Sequence, residues 1–471
     1  MTRALVVAYY YPPKGGAGTQ RFAKFCKYLP GFGVDPTVIS ASVDLHDRNA
    51  PNDDATLVAD SAAPVIRVGK PASAPFAYRL RRMLRLALDE DEWAMAAGER
   101  ALAVAKEQRA TVVVTTLSPW AGYRIGERLQ RESGLPWVLD LRDPWALDGW
   151  RSYRSRWHAR ADLAHMRRAV TRADFVVANV PEARLAYIGL GADPARTVVI
   201  PNGFDAEDFA VQLESAREPG ERFRLVHMGT FHPADTAEGT TADGLLRCRH
   251  RQIAPLGRTG YYLLHAVALL QRRSPATYAN LAVHLYGAVD ATHRALVEQL
   301  GIGEAVHFHG YVPHRESTAA LDRAHAVFVP LHGVPTGERA LVVPGKLYEA
   351  LASERPVLAA LPPGDGADLV RHLAAGVVVA PTDADGLAQA VAGMVERRAG
   401  GRAMAGCTRD RIAVFERRHL TGLLANVLRA AEARARHVDL EDPWQALGVC
   451  RGNETPPDPA LLRRSAVLES P

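Results

Sequence analysis

The chain repeats one unit along most of its length: a short apolar run, a turn rich in glycine or proline, then a helix-length amphipathic stretch. Residues 4–10 (ALVVAYY) run into Pro12-Pro13 and on to KGGAGTQRFAKFCKYL. Residues 35–41, 63–69, TVVVTTL at 111–117, Val138-Leu139 and ADFVVANV at 173–180 continue the series. It starts afresh at 223–231 (FRLVHMGTF) and proceeds through 280–289, 305–312, AVFVPLH, PVLAAL and GVVVAPT. Apolar runs of this length, punctuated by turns and alternating with helices, read as buried strands of parallel sheets. Two successive series read as two doubly wound α/β domains. The length agrees, since 471 residues exceed one ordinary core. The boundaries read as a first domain at 1–205, a polar linker at 206–222 and a second domain at 223–405. A terminal helical segment at 406–436 follows, its helix spanning about 402–435, and a proline- and charge-rich tail fills 437–471.

Composition narrows the class. Hydrophobic residues make up 48% and charged residues 23%, which is globular rather than disordered. A net charge of +5 over this length gives no nucleic-acid signal. Cys26, Cys248, Cys407 and Cys450 are far apart, without zinc spacing, and predict free thiols in a reducing compartment. MTRALVVAYYYPP reads as a first strand rather than a signal peptide, and no apolar run reaches membrane-spanning length. The expectation is a cytoplasmic protein, with peripheral contact at the inner face of a membrane as an addition. Two arginine-rich stretches carry that addition. Arg79, Arg81, Arg82 and Arg85 alternate with Leu80, Met83, Leu84 and Leu86, and Arg151, Arg154, Arg156, Arg160, Arg167 and Arg168 form the second. A solvated helix face is the favoured reading of the first. Asp89-Glu90-Asp91 reads as solvated surface, and His307 and His309 as ordinary strand histidines, so no metal is expected.

Three places carry candidate chemistry. In VPGKLYEALASERPVLAALPPGDGAD (343–368), Pro344 and Gly345 open a helix whose first amides are free for an anion. Lys346 and Glu349 share one face of it, while Leu347, Ala350 and Leu351 face the core. Lysine and amides suit a diphosphate, and the glutamate suits ribose hydroxyls. A solvated charge pair is the competing reading. Near the start, Gly15-Gly16 precede a helix with Arg21 one turn in, and the loop admits close backbone approach of an anionic or sugar ligand. It is neither a phosphate-binding GKT loop nor GxGxxG, because Thr19 stands where the lysine belongs and the glycine spacing differs. In PWVLDLRDPW, a strand delivers Asp140, Arg142 and Asp143 to its carboxyl end, where open parallel sheets bind ligands. There the alternative is an Arg–Asp pair that fixes a loop.

The 343–368 stretch resembles the donor-nucleotide segment of retaining glycosyltransferases of family 4, which have the GT-B fold. The order glycine loop, DLRDPW with the Ser118-Pro119 turn, PNGFD, MGTF, FHGYV and PGKLYEALA resembles one branch of that family over about residues 1–432. The resemblance implies two facing Rossmann-like domains, with the last helix crossing back onto the first. It implies transfer of a sugar from a UDP- or GDP-linked donor to an acceptor hydroxyl, with retention and without metal or cofactor. The acceptor would be a sugar, a lipid-linked or a small molecule, in polysaccharide, glycolipid or glycosylated-metabolite biosynthesis. Donor contacts fall on Gly15, Gly16, Arg21, Lys346, Glu349 and Val312, the last in a nucleobase-side turn. Arg258, just before Gly260, replaces the cation that relatives carry after the MGTF strand, with Arg249 and Arg251 as further candidates. Catalytic roles fall on Asp143, Asp140 and Arg142. The chain departs from the family in having Leu341 at the place of a first glutamate and no histidine at the Ser118 turn or at Arg142. A nucleotide-sugar epimerase of similar fold and an inactive glycosyltransferase-like binding subunit are the alternatives.

Overall fold

The computed structural model describes residues 1–45, 63–71, 90–153, 155–209, 221–229, 231, 248–288 and 290–449. The chain divides into two compact units. The first comprises the described residues of Met1–Asn202, Arg247–Arg251 and Arg417–Pro471, the second those of Gly203–Leu246 and Gln252–Glu416.

The first unit is a seven-stranded sheet of β1 (Thr2–Ala8), β2 (Val34–Ala41), β3 (Val65–Val68), β4 (Val112–Leu117), β5 (Trp137–Leu141), β6 (Phe175–Ala178) and β7 (Thr197–Val199). The order is β3-β2-β1-β4-β5-β6-β7 and every pairing is parallel. The second is a six-stranded sheet of β8 (Phe223–Met228), β9 (Leu281–Tyr286), β10 (Val306–Gly310), β11 (Ala326–Pro330), β12 (Val357–Ala360) and β13 (Gly376–Val379). Its order, β10-β9-β8-β11-β12-β13, is also all parallel. Each sheet reverses its winding once, between β1 and β4 and between β8 and β11. Such a switch opens a crevice at the carboxyl ends of those strands. The strands read as unbroken apolar runs because helices cover both faces. Val6, Phe22, Phe25, Leu420, Leu424 and Leu428 share the first core, and Leu225, Leu264, Val267, Val283, Phe328 and Val391 the second.

Three expectations change. The last long helix begins only at Arg417 and runs to Glu432, where it packs on the helix Ala17–Tyr28. Before it lies a tight turn, Arg409–Phe415, interrupted at Ile412. Ile412 and Phe415 are both fully buried, and the Phe204 amide donates to the Phe415 carbonyl at 3.1 Å. Within the tail, Pro443–Ala446 forms a helical turn capped by Asp442, and Trp444 is buried; residues 450–471 lie outside the described ones. Asp91 is not solvated surface. It opens the helix Asp91–Glu107, is buried, and pairs with Arg124 Nε at 3.0 Å. The arginine stretch at 79–85 lies outside the described residues. Among those described, Cys26, Cys248 and Cys407 are free thiols, and no helix is long and apolar enough to cross a membrane.

Candidate functional site

In the first unit the carboxyl ends of β1, β4 and β5 bring together the glycine loop, the Ser118 turn and the Arg142-Asp143 pair. Gly18, a residue the motif reading passed over, decides how closely they meet. A Cβ there would lie 1.7 Å from Arg142 Nη1, so the guanidinium lies against the glycine backbone. Arg142 Nη2 donates to Ser118 Oγ at 3.2 Å, and its Nε stands 3.4 Å from Asp143 Oδ2. The Arg142 side chain is 12% exposed and that of Asp143 is 46% exposed. Asp143 is thus the open carboxylate of the motif. Beside it Trp145, at φ +48°, stacks on Trp120 and donates to Asp162 Oδ1 at 3.0 Å. Arg151 and Tyr153 donate to the other oxygen of Asp162, at 2.6 and 2.7 Å. This aromatic wall was not legible from spacing, because its members come from separate turns and a helix.

Arg21 and Asp140 behave differently from the expectation placed on them. Their side chains are each 1% exposed. Arg21 Nη2 donates to Asp140 Oδ1 at 2.7 Å and to the Ile200 carbonyl at 2.8 Å, and Nη1 donates to the Pro201 carbonyl at 2.6 Å. Thr116 Oγ1 donates to Asp140 Oδ2 at 2.7 Å. Buried charges persist when paired and hydrogen-bonded, and this pair ties the first helix to β4, β5 and the turn after β7. Their hydrogen-bonding capacity is spent inside the protein, so the geometry makes them a clamp under the loops rather than ligand contacts.

In the second unit the site gathers at the ends of β8 and β11. The helix Gly345–Ala352 starts at Pro344, with Leu347, Tyr348, Ala350 and Leu351 buried beneath it. Gly229, at φ +104° just past β8, has no side chain to obstruct Lys346: a Cβ there would lie 2.2 Å from Lys346 Nζ. Arg258 ends the turn Pro255–Arg258 close enough to act on Lys346 electrostatically. Burial first, and then the Arg258 guanidinium, push the half-buried Lys346 ammonium down to about 7, against the pull of Glu349. Two cations held together where solvation is poor form a site that an anion would relieve. Arg249 belongs to the first unit, as does Arg251. Val312 follows β10, the edge strand two places from β8. His307 and His309 gain His284 as a neighbour on β9, whose Nδ1 lies 2.8 Å from His309 Nε2. Burial is the main reason the His284 imidazole is pushed down to about 3.

Residues 15–203 match the family described as glycosyl transferase 4-like domain, and residues 258–397 match glycosyl transferases group 1. A D-inositol 3-phosphate glycosyltransferase of Geodermatophilus obscurus is 32% identical over 260 residues, covering 52% of this chain and 52% of that protein. The match thus spans about half the length of that curated relative. Sucrose-phosphate synthase of Thermosynechococcus elongatus shares the fold with a TM-score of 0.57 at 16% identity, over 95% of this chain and 97% of that one. Anabaena HepE, solved in complex with UDP-glucose, shares it with a TM-score of 0.52 at 16% identity, over 95% and 98%. One glycosyltransferase domain model thus matches in each of the two Rossmann-like units, the 4-like domain in the first and the group 1 domain in the second, and the architecture is that of the GT-B fold.

Proposed function

We propose that the chain moves a sugar from a nucleotide-sugar donor, UDP- or GDP-linked, to an acceptor hydroxyl, with retention of configuration and without a metal ion. The observation that carries this reading is the placement of Lys346 against Gly229 beside Arg258 and Glu349. The bond between the anomeric carbon and the phosphate oxygen breaks through an oxocarbenium-like state, and charge develops on the departing diphosphate. Preorganised cations stabilise that charge more than they stabilise the ground state. The acceptor oxygen bonds to the same face of the anomeric carbon, and its proton passes to the departing phosphate oxygen. Asp143 orients the acceptor hydroxyl. HepE binds UDP-glucose in its own structure, which makes UDP-glucose the first donor to test. The setting is cytoplasmic synthesis of a polysaccharide, glycolipid or glycosylated metabolite.

Proton NMR of the purified protein with UDP-glucose or GDP-mannose, with and without acceptor alcohols, tests this. Release of the nucleotide diphosphate with a product of unchanged anomeric configuration supports transfer. Interconversion of the free nucleotide sugar without acceptor would replace it by epimerisation, and binding without turnover by an inactive subunit. In the same assay Asp143→Asn is expected to lower kcat by about a hundredfold or more, with little change in melting, since its carboxylate is open and loosely paired. Loss of folding with full turnover in the folded fraction would make the residue structural.

Peripheral contact with an anionic membrane belongs to the same proposal. The helix Arg156–Arg172 starts with Trp157 56% exposed, beside exposed Arg156 and Arg160. Arg151 is held by Asp162, while Arg168 and Arg172 are held by Glu127, so less charge is available than the sequence suggests. An exposed tryptophan suits the headgroup layer, and each well-placed arginine adds about 1 kcal/mol. Sedimentation with phosphatidylserine vesicles at low and high salt checks this. Binding should fall with salt and with Trp157→Ala, and no binding at low salt ends the membrane part alone.

A further inference from the structure

Under the turn that carries Arg258 lies a column of three stacked rings. His227, the buried fifth residue of β8, stacks face to face on Phe231 at 4.0 Å and 4°. Phe231 in turn stacks on His293 at 5.5 Å and 18°. Each end is anchored. His227 Nδ1 donates to the Phe328 carbonyl at 3.0 Å, and burial holds this imidazole far below its ordinary value, hence neutral. His293, fully buried in the helix Ala291–Leu300, has Nδ1 2.6 Å from Asp290 Oδ1 and its Nε2 on the Thr259 carbonyl. Thr259 is the neighbour of Arg258. Gly260, at φ +75°, rests on the Phe231 ring, where a Cβ would come within 2.9 Å. On its other side the turn is held at Gly257, whose added Cβ would lie 2.8 Å from Pro381 Cβ.

Arg258 is thus carried by a backbone gripped from several directions, although its charge is repelled by Lys346. We propose that the His227–Phe231–His293 column is a positioning element, holding the Pro255–Gly260 turn and therefore Arg258 beside Lys346 before any ligand arrives. None of the three rings is a catalytic residue. They act through Arg258, and the placement itself does not depend on what binds there. The effect on donor affinity does rest on the reading of Lys346 and Arg258 as diphosphate contacts.

The groups that act on Lys346 are Arg258 and Glu349, with His227 behind it. The test is therefore the pH midpoint of Lys346 acetylation by acetic anhydride, read by peptide mass spectrometry, alongside UDP-glucose affinity. The wild-type midpoint should fall at about 7. His293→Leu frees the turn, so the midpoint should rise by about one pH unit and the UDP-glucose Kd by about tenfold. His293→Gln keeps an amide donor for the Thr259 carbonyl and should restore most of both. Phe231→Leu removes the stack alone and serves if His293→Leu does not fold, as judged by circular dichroism and a cooperative melt. A folded His293→Leu or Phe231→Leu protein with wild-type midpoint and Kd overturns the column. A shifted midpoint in these variants, with UDP-glucose binding indifferent to Lys346→Met, supports the column and overturns the donor reading instead.

Discussion

Asp140→Asn is expected to destabilise the first unit by about 3–5 kcal/mol, the usual cost of stripping one partner from a buried ion pair. The loss is large because Arg21 stays where it is, 1% exposed and still fixed to the Ile200 and Pro201 carbonyls. It would keep its charge with no counter-ion and no route to water. Thr116 Oγ1 would lose its carboxylate acceptor as well. All seven tryptophans of the chain lie in the first unit, so their fluorescence follows its unfolding without interference from the second. With a urea slope of about 2.5 kcal/mol/M, the midpoint should fall by roughly 1–2 M. Arg21→Met should cost a similar amount, and the double replacement less than the sum, because each single change leaves one buried charge uncompensated. An unchanged midpoint together with lost turnover would return Asp140 to the reacting centre.

The same pair marks how far sequence reasoning reaches. Asp140 stands at the carboxyl end of a central strand, where ligand contacts are found, and nothing local separates that use from a clamp. Its partner lies 119 residues away, so only the folded sheet reveals it. Local signals fare better. Pro344 and the Leu347, Ala350, Leu351 stripe do yield the helix Gly345–Ala352, and alternating apolar runs do yield two parallel sheets. Both follow from short-range sterics and burial. Gly18 and Gly229 fall between these cases. The missing side chain is visible in the sequence, whereas the group that fills its space, Arg142 or Lys346, is set by tertiary packing. Asp91 shows the converse error, where an acidic run that looks solvated holds one residue buried against Arg124. The ring column was missed for a similar reason: its histidines belong to different βα units, and each alone looks like a core residue.

Lys346 gives the second large effect, and it is a pH effect. Its ammonium is pushed down to about 7, by burial first and Arg258 next. A diphosphate placed between the two cations favours the protonated amine, so its value in the complex must be higher. Above about pH 7, binding then takes up a proton, and affinity must fall as pH rises, by up to tenfold per unit until the value in the complex is passed. Below about pH 7 the lysine is already charged and this dependence flattens. The intact nucleotide sugar is the right probe, because neither of its phosphates carries the second, near-neutral ionisation of a terminal phosphate. Lys346→Met should weaken UDP-glucose binding below the midpoint by roughly tenfold to a hundredfold, corresponding to about 1.5–3 kcal/mol for a hydrogen bond to a charged group. It should also abolish the slope above the midpoint, which a merely destabilised site would keep. Calorimetry in buffers of different ionisation enthalpy would count the proton directly. A flat profile in the wild-type protein, or an unchanged slope in Lys346→Met, would take Lys346 out of the diphosphate site.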